Sequence, residues 1–240
     1  MLADLVLPVP CVACGAADGP LCGVCTPHAL HTEPVRVPAG VRPGGGAPAG
    51  CVAAGTYRGA LRSALIAYKE RGVRGLAVPL GARLAAAVEA VSESDDRLLC
   101  VPIPSSSGAI RARGGDHVVR LARFAVATLR QQGFAAEVAR LITMRRVPTD
   151  SVGLGAAARR ANVAGAFAAA PGPVPRLRAP TGSLRGRTTI VLVDDIVTTG
   201  ATLAEGYRAV ADIGLPVAGA AVVAATPPRG ATVYPIHDVK

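Results

Sequence analysis

Residues 188–225 constrain the fold more than any other segment of the chain. The apolar run TTIVLVDD at 188–195 predicts a buried strand, ATLAEGYRAVADIG at 201–214 predicts a helix, and VAGAAVVAA at 217–225 predicts a second buried strand. Two apolar strands joined by one helix are typical of a βαβ unit, in which the helix lets the second strand run parallel to the first. We therefore expect a parallel sheet covered by helices.

The same alternation of short apolar runs and helical patterns extends upstream. Strands are predicted at CVAAGTY (51–57) and RLLCVPIP (97–104). Helices are predicted for GALRSALIAYKE (59–70), LAVPLGARLAAAVEAV (76–91) and DHVVRLARFAVATLRQQG (116–133). Strands that alternate with helices of this length predict an α/β fold with a doubly wound, mostly parallel sheet.

Three regions of the chain differ in composition. Residues 1–32 contain four of the six cysteines and predict a small metal-binding module. Residues 33–50 are rich in Pro and Gly without hydrophobic periodicity, as in a linker or surface loop. Residues 51–240 form the predicted α/β domain, which contains an Arg-rich stretch at 143–187 and a long exposed connection at 171–187.

Four cysteines in CVACGAADGPLCGVC form two C-x-x-C pairs, namely Cys11, Cys14, Cys22 and Cys25. Two such turns can direct four thiolates at one Zn²⁺ about 2.3 Å away, which fills a tetrahedral shell and predicts a structural site. The alternatives are two disulfides or a redox dithiol, which fit less well because the N-terminus lacks a basic leader and a cytoplasmic protein is expected. His28 and His31 are near enough to replace a ligand, whereas Cys51 and Cys100 lie in predicted strands as core residues.

The formal charge of +10 is concentrated in residues 111–187, which hold 14 Arg and three acidic residues. This concentration favours an anionic partner, either nucleic acid or a phosphorylated small molecule. A compositional preference for Arg, with 24 Arg against two Lys, is the competing explanation. The low aromatic content of 3% and the absence of Trp leave little material for base stacking, and no apolar run approaches a membrane span of about 18 residues.

Two adjacent acids, Asp194 and Asp195, end the apolar strand at 188–195. A P-loop nucleotide site would need a Gly-Lys-Ser/Thr element, and the two lysines, Lys69 and Lys240, do not lie in such a context. A receiver domain also uses paired acids, but only 45 residues follow Asp195, too few for the rest of that fold. Neither of these two families therefore explains the pair.

The small, hydroxyl-rich turn after the acids predicts a monophosphate cradle. Backbone N–H groups at the start of the next helix lack partners, and small side chains let an anion approach them. Hydroxyls from three threonines can donate to the same anion, and the acids can accept from the 2′- and 3′-hydroxyls of a ribose. The predicted ligand is ribose 5-phosphate, bound by Asp194, Asp195, Val197, Thr198, Thr199, Gly200, Ala201 and Thr202. The alternative is an ordinary helix capped by Thr198 or Thr199.

The stretch VLVDDIVTTGAT resembles the phosphoribosyl pyrophosphate motif of type I phosphoribosyltransferases. With the cysteine pairs, CVPIPSSSGAIRARG and RRANVAGAF, the chain is similar to the ComF/GntX family of phosphoribosyltransferase-like proteins associated with DNA uptake and competence. The resemblance implies a type I phosphoribosyltransferase fold with a flexible loop that closes over substrate. It also implies phosphoribosyl pyrophosphate as ligand and Mg²⁺ held mainly by the ligand's own hydroxyls and pyrophosphate, with Asp194 and Asp195 orienting that assembly.

The resemblance extends to two further segments. VPIPSSSG resembles a pyrophosphate-binding loop, which would place donors and cations at Ser105, Ser106, Ser107, Gly108, Arg111 and Arg113. Residues 145–167 correspond to the mobile loop, whose arginines would reach phosphate oxygens on closure: Arg145, Arg146, Arg159 and Arg160. A solvated face or a contact with another element is the alternative for these arginines.

Two positions depart from the family pattern. Relatives usually read Phe-Asn-Gln where this chain has Gly115, Asp116 and His117, and a usual glutamine is replaced near Asp150 and Ser151. These changes affect the acceptor site and leave the phosphate cradle untouched. Three functions stay open: transfer of phosphoribosyl to an unidentified acceptor, binding of single-stranded DNA with the cradle as a ligand sensor, and a zinc-organised interaction module in a competence or repair complex.

Overall fold

The computed structural model describes residues 9–37, 50–92, 97–149, 155–172, 188–226 and 234–235. The helices in these ranges are α1 (Cys25–Leu30), α2 (Gly59–Glu70), α3 (Ala77–Glu89), α4 (Ser107–Ala112), α5 (His117–Gln131), α6 (Ala156–Val163) and α7 (Ala201–Ala211), with a 3₁₀ turn at Arg74–Leu76. Among the helices so described, none combines the length and the apolar character that crossing a membrane requires.

The strands are β1 (Val35–Val37), β2 (Gly50–Ala53), β3 (Arg97–Pro102), β4 (Ala136–Val138), β5 (Ile142–Met144), β6 (Phe167–Ala169), β7 (Thr188–Val197), β8 (Val217–Ala225) and β9 (Tyr234–Pro235). One sheet has the order β4-β3-β7-β8-β2-β1-β9, and β5 and β6 form a separate antiparallel pair. The pairings from β4 to β2 are parallel, and β1 pairs antiparallel with β2 and β9. The predicted α/β fold with a mostly parallel sheet is therefore confirmed.

Helices cover both faces of this sheet. On β7, Val191 and Val193 point toward the cluster that contains α2, α3 and α5, whereas Ile190 and Leu192 point toward the cluster that contains α7 and the β5–β6 pair. Successive strand residues point to opposite faces, so a run without polar residues is the pattern expected for a strand buried on both sides. This is why the apolar runs identified strands well.

The described N-terminal residues pack against the main domain. Val12 and Leu21 contact the core cluster formed by α2, α3 and α5. The Arg83 guanidinium of α3 donates to the backbone carbonyls of Thr32 and Ala54 and, at 3.1 Å, to the Thr32 hydroxyl. These contacts join the cysteine region to the sheet.

Short elements were not predicted from the sequence. Strand β1 lies inside the segment 33–50 that was predicted to be a linker, and β2 ends at Ala53, earlier than the strand predicted at 51–57. Elements α4, α6, β4, β5 and β6 fall where no periodic pattern was recognised. Strands of three residues carry too little alternation to be recognised without their partners. Of the exposed connection predicted at 171–187, residues 173–187 lie outside the described residues.

The strand order reverses between β3 and β7. After β3 the chain passes through α4 and α5 to β4 on one side, and after β7 it passes through α7 to β8 on the other side. The two connections therefore leave a crevice at the carboxyl ends of β3 and β7. In open parallel sheets, a crevice of this kind is where ligands bind.

Candidate functional site

A cleft of about 500 Å³ lies at this point of strand-order reversal. It brings together residues from the predicted cradle, the predicted pyrophosphate loop and two helices, α2 and α5, that were not predicted to contribute to the site. The polar side chains that line it are Lys69, Ser105, Ser106, Arg113, His117, Asp194, Asp195, Thr198 and Thr202. Segments that are far apart in the sequence thus meet in one site.

The turn between β7 and α7 leaves its polar groups open. Gly200 is the N-cap residue of α7 and has φ of 72°, a left-handed conformation that favours glycine. Among the described residues no side chain caps this helix, so the alternative in which Thr198 or Thr199 is the cap is wrong. Within the described ranges, the hydroxyls of Thr198, Thr199 and Thr202 also have no hydrogen-bond partner. The turn therefore offers backbone and hydroxyl donors together, as an anion requires.

Asp195 is held by side chains from two helices. Its Oδ2 lies 2.7 Å from Lys69 Nζ of α2 and 3.1 Å from His117 Nε2 of α5, and its Oδ1 accepts the Ile196 N–H at 2.7 Å. Although burial alone would raise the pKa of Asp195, the hydrogen bond from His117 and the charge of Lys69 bring it below its usual range. Asp195 is therefore a fixed anion in the wall of the cleft.

Asp194 has a different environment from its neighbour. Its Oδ1 accepts the Asp195 N–H at 2.8 Å, and its charge contributes to raising the pKa of Cys51, which burial mainly raises to about 12. Cys51 belongs to the cluster on the α7 face, opposite the side that holds Lys69 and His117. Burial, reinforced by the charge of Asp195, raises the pKa of Asp194 well above its usual value. The two acids therefore differ in their pKa shifts and in the face of the sheet to which their side chains point.

Lys69 and His117 are the site residues that the sequence analysis missed. Lys69 was considered only as a P-loop lysine, and His117 only as a departure from the family pattern. A signal existed for Lys69, because it follows the apolar stretch of α2 in a chain that has 24 Arg and only two Lys. For His117, no local signal could show that its partner is 78 positions away.

The loop that contains Ser105, Ser106 and Ser107, here called the serine loop, is held in place by hydrogen bonds of Asp116 and Ser106. Asp116 Oδ1 caps α5 by accepting the N–H groups of Val118 and Val119 at 3.1 and 3.2 Å, and it also lies 3.3 Å from Ser105 Oγ, which donates to it. Ser106 caps α4 by accepting the Ala109 N–H at 3.1 Å. The departure at Asp116 therefore provides a helix cap that also orients the loop beside the cleft.

Of the other residues predicted for the pyrophosphate loop, only one lines the cleft. Arg113 lines the cleft and forms an ion pair with Glu70 at 3.2 Å. Ser107, Gly108 and Arg111 lie on α4 and do not line the cleft. The structure thus brings the first two serines and Arg113 to the site, and leaves Arg111 exposed to solvent.

The arginines of the predicted mobile loop do not converge on the cleft. Arg146 donates to the carbonyls of Asn162 and Ala164 at 2.8 and 3.0 Å, and the Asn162 amide bonds Thr149 three times, at 2.7 to 3.0 Å. These hydrogen bonds connect residues on either side of 150–154. Arg159 and Arg160 lie on α6, and Arg145 lines a neighbouring cavity. Asp150 and Ser151 lie outside the described residues.

The four N-terminal cysteines form a compact cluster. The sulfur atoms of Cys11, Cys14, Cys22 and Cys25 all lie within 4.8 Å of one another, and Cys14 Sγ is 3.6 Å from Cys22 Sγ. A tetrahedral site with 2.3 Å bonds has sulfurs about 3.7 Å apart, so the cluster is compatible with structural zinc. All six cysteines are free, which argues against the disulfide alternative. In the part of the chain that the structure describes, neither His28 nor His31 belongs to the cluster.

The cysteines of the cluster differ in pKa: side-chain hydrogen bonds with Cys14 and Cys22 raise the pKa of Cys25 to about 12, whereas backbone donors favour the thiolate form of Cys11. Although burial opposes it, N–H groups of Cys22, Ala13 and Cys14 lower the pKa of Cys11 to about 6. Thiolate is the form that binds a metal ion. Cys51 and Cys100, in contrast, are buried at 3% and 0% exposure in the core of the sheet, as predicted.

No protein-family model matches this chain, and no curated protein matches it. The features that matter are the open turn before α7, the two unequal acids, and the serine loop that faces them across the reversal point.

Proposed function

We propose that this protein is a cytoplasmic phosphoribosyltransferase of the type I kind, related to the ComF/GntX family, that takes phosphoribosyl pyrophosphate as donor. One observation carries the proposal: three unpaired threonine hydroxyls and an uncapped helix N-terminus lie at the point of strand-order reversal, beside two buried acids. A phosphate ester attached to a polyol satisfies both halves of such a site, because the turn donates and the acids accept.

The contacts of the two acids support separate roles in the bound state. Asp195 already accepts from Lys69 and His117, so it serves as an anchor for the end of β7. Asp194 lines the cleft and has a backbone N–H on one oxygen only, so we assign the ribose hydroxyls to Asp194. The 5-phosphate belongs at the turn before α7, with Thr198 and Thr202 as donors.

The proposed reaction replaces pyrophosphate at C1 of the ribose with a nitrogen nucleophile. A C1–N bond forms, the C1–O bond breaks, its electron pair leaves with pyrophosphate, and the proton of the nitrogen passes to water. Catalysis then consists of positioning and of neutralising the departing charge. Lys69 and Arg113 are the cations among the described residues of the cleft, and each is paired with a carboxylate, Asp195 and Glu70 respectively.

We propose that Mg²⁺ binds to the protein together with phosphoribosyl pyrophosphate. Among the described residues, the only grouping of three or more ligating side chains is the cysteine cluster, and one oxygen of Asp195 is already bonded to Lys69 and His117. The acids therefore fit a metal held by the ligand's own oxygens better than a metal held by the protein. When bound, Mg²⁺ would lower the negative charge of the pyrophosphate.

We further assign the cysteine cluster to zinc in a structural role. Four thiolates leave no coordination position open for a substrate. The cluster also lies on the segment that packs against the core through Val12 and Leu21, away from the cleft residues.

The experiment is calorimetric titration of the full chain with ribose 5-phosphate, and with phosphoribosyl pyrophosphate plus Mg²⁺. We expect both ligands to bind, and we expect Thr198→Val with Thr202→Val to weaken both by at least about tenfold, the equivalent of a lost charge-assisted hydrogen bond. Thr226→Val is the matched control, because Thr226 is exposed and lies outside the cleft. Absence of binding by the folded native protein would refute the proposal.

Transfer itself is tested by a second measurement on the same samples. The Asp194→Asn/Asp195→Asn protein should lose binding of phosphoribosyl pyrophosphate. Release of pyrophosphate by the native protein in a mixture of candidate nitrogen acceptors would show turnover. If the native protein binds phosphoribosyl pyrophosphate but releases no pyrophosphate in any mixture, the transfer reaction is contradicted and a role as a ligand sensor is favoured.

A further inference from the structure

A smaller cavity of about 220 Å³ adjoins the cleft on the side of β5. We call it the side cavity. It shares five lining residues with the cleft: Ile103, Pro104, Ser105, Met144 and Val147. The two spaces are therefore separated by a common wall only, and a molecule in the side cavity would lie next to a ligand in the cleft.

Two arginines on either side of β5 line the side cavity. Arg140 precedes the strand and Arg145 follows it. Neither guanidinium has a hydrogen bond or an ion pair with another described residue, although Arg113, Arg130 and Arg146 nearby in sequence all have protein partners. Two unpaired guanidinium groups at one small cavity create a site for an anion.

The described lining of the side cavity has one carboxylate against these two arginines. This carboxylate is Asp116, whose Oδ1 accepts hydrogen bonds from Val118, Val119 and Ser105. The side cavity also contains the hydroxyl-bearing residues Ser107 and Thr143, which can donate to the same anion. The net charge of the lining is positive.

The rest of the lining is aliphatic. Pro102, Ile110, Val119 and Ile142 contribute to it, and no aromatic side chain among the described residues does. A ligand that fits such a cavity has an anionic group at one end and a small apolar body at the other. It does not depend on stacking between aromatic rings, in contrast to many nucleobase sites.

We propose that the side cavity binds the acceptor of the transfer reaction, and that this acceptor is a small nitrogen-containing molecule with a carboxylate or phosphate group. This inference rests on the proposed function, because it requires a donor in the adjoining cleft. The leaving pyrophosphate is the other source of an anion here. Pyrophosphate has Lys69, Ser106 and Arg113 near it in the cleft, and it has no apolar body to match the aliphatic part of the side cavity.

The test uses benzoate and benzamide, which have the same size and shape and differ in charge. The full-length protein, saturated with ribose 5-phosphate, is titrated while NMR follows the side-chain Nε–Hε signals of its arginines. We expect benzoate to shift the Arg140 and Arg145 signals and to bind at least about tenfold more tightly than benzamide, as for loss of a charge-assisted hydrogen bond. Arg140→Gln and Arg145→Gln should each reduce this preference.

Arg123→Gln is the control, because it removes the same charge from an exposed residue outside both cavities. It should leave the preference for benzoate unchanged. Equal binding of the two probes, or benzoate shifts confined to other arginines, would overturn the inference. Inorganic pyrophosphate that displaces benzoate from Arg140 and Arg145 would also overturn it, since the anion would then be the leaving group.

The design separates this inference from the proposed function. Ribose 5-phosphate that binds while benzoate does not reach Arg140 contradicts the inference only. Benzoate that binds at Arg140 in a protein that does not bind ribose 5-phosphate contradicts both, because a site without an adjacent donor is not an acceptor site.

Discussion

Asp194 and Asp195 are adjacent in the chain but belong to different faces of the sheet. Asp195 contacts Lys69 and His117 on the side of α2 and α5, and Asp194 influences Cys51 on the side of α7. Consecutive residues in a strand point to opposite faces, so the two carboxyl groups have different partners, although both line the cleft and the charge of Asp195 still acts on Asp194. Their pKa values consequently move in opposite directions.

We expect the two isosteric substitutions to change stability with opposite signs. At pH 7, Asp195→Asn removes the counter-charge of the largely buried Lys69 and should cost about 3 kcal/mol, or roughly 6–12 °C in Tm. Asp194→Asn removes a carboxylate whose pKa is raised by folding and should increase Tm. Thermal unfolding followed by circular dichroism measures both, and a shift in the same direction for both variants would contradict the assignment.

The pH dependence of the same variants has a definite sign. A carboxylate whose pKa is lowered on folding stabilises the protein above about pH 4 and loses this effect as the solution becomes more acidic. A carboxylate whose pKa is raised costs stability as the pH increases above about 4. The advantage of Asp194→Asn over the native protein should therefore shrink as pH falls from 7 to 4, and the deficit of Asp195→Asn should shrink below pH 4.

Helix packing sets the position of the cleft wall at the scale of elements. Helices α3 and α5 pack closely at Gly81, where an added Cβ would lie 2.4 Å from Phe124 Cβ and 3.3 Å from the Leu121 carbonyl oxygen. Helix α5 begins at His117, so its placement against α3 also places a residue of the site. Close packing at a glycine distant from the ligand thus contributes to the geometry of the cleft.

Gly81→Ala should destabilise the protein by about 1–2 kcal/mol. The new methyl group would lie 2.4 Å from Phe124 Cβ, which places the overpacking cost at the upper end of its usual range of about 1–3 kcal/mol. The gain in helix propensity from Gly to Ala, about 1 kcal/mol, offsets part of this cost. The matched control is Gly108→Ala in α4, where no atom lies within 4 Å of the new Cβ and stability should stay equal or increase. Urea unfolding measures both, and a Gly81→Ala protein as stable as the native one would disprove the packing argument.

Side-chain contacts attach the cysteine region to the sheet. Val12 and Leu21 pack against the core, and Arg83 bonds the carbonyls of Thr32 and Ala54. A cross-link among four cysteines would hold the segment 9–37 in the shape that makes these contacts. The effect of the metal on stability should therefore extend beyond the cluster.

Removal of zinc should lower the Tm of the whole protein. We expect one zinc per chain, loss of this zinc in Cys14→Ser, and a lower Tm for both the chelator-treated and the substituted protein. Cys51→Ala serves as the control for metal content, because Cys51 is a buried core residue outside the cluster. Zinc content by atomic absorption and Tm by calorimetry provide the readouts, and a native protein that holds no zinc would rule out the assignment.

The long helices and strands could be predicted from the sequence alone. So could the cysteine cluster and the position of the acid pair at the end of β7. The strands at 188–197 and 217–225 are apolar because both of their faces are covered, and this local pattern does not depend on distant residues. The four cysteines likewise indicated their cluster, because two C-x-x-C turns need only come together over a short separation. Each of these features depends on contacts that are local or periodic in the chain.

Only the tertiary structure decided which side chains meet in the cleft. Lys69, His117 and Asp195 come from α2, α5 and β7, and their contact depends on strand order and on the packing of two helices against one face. The same holds for Arg140 and Arg145, which line one cavity because β5 lies beside the serine loop. Residue types and spacing identify candidates, but the choice of partners depends on long-range packing, which no local pattern in the sequence encodes.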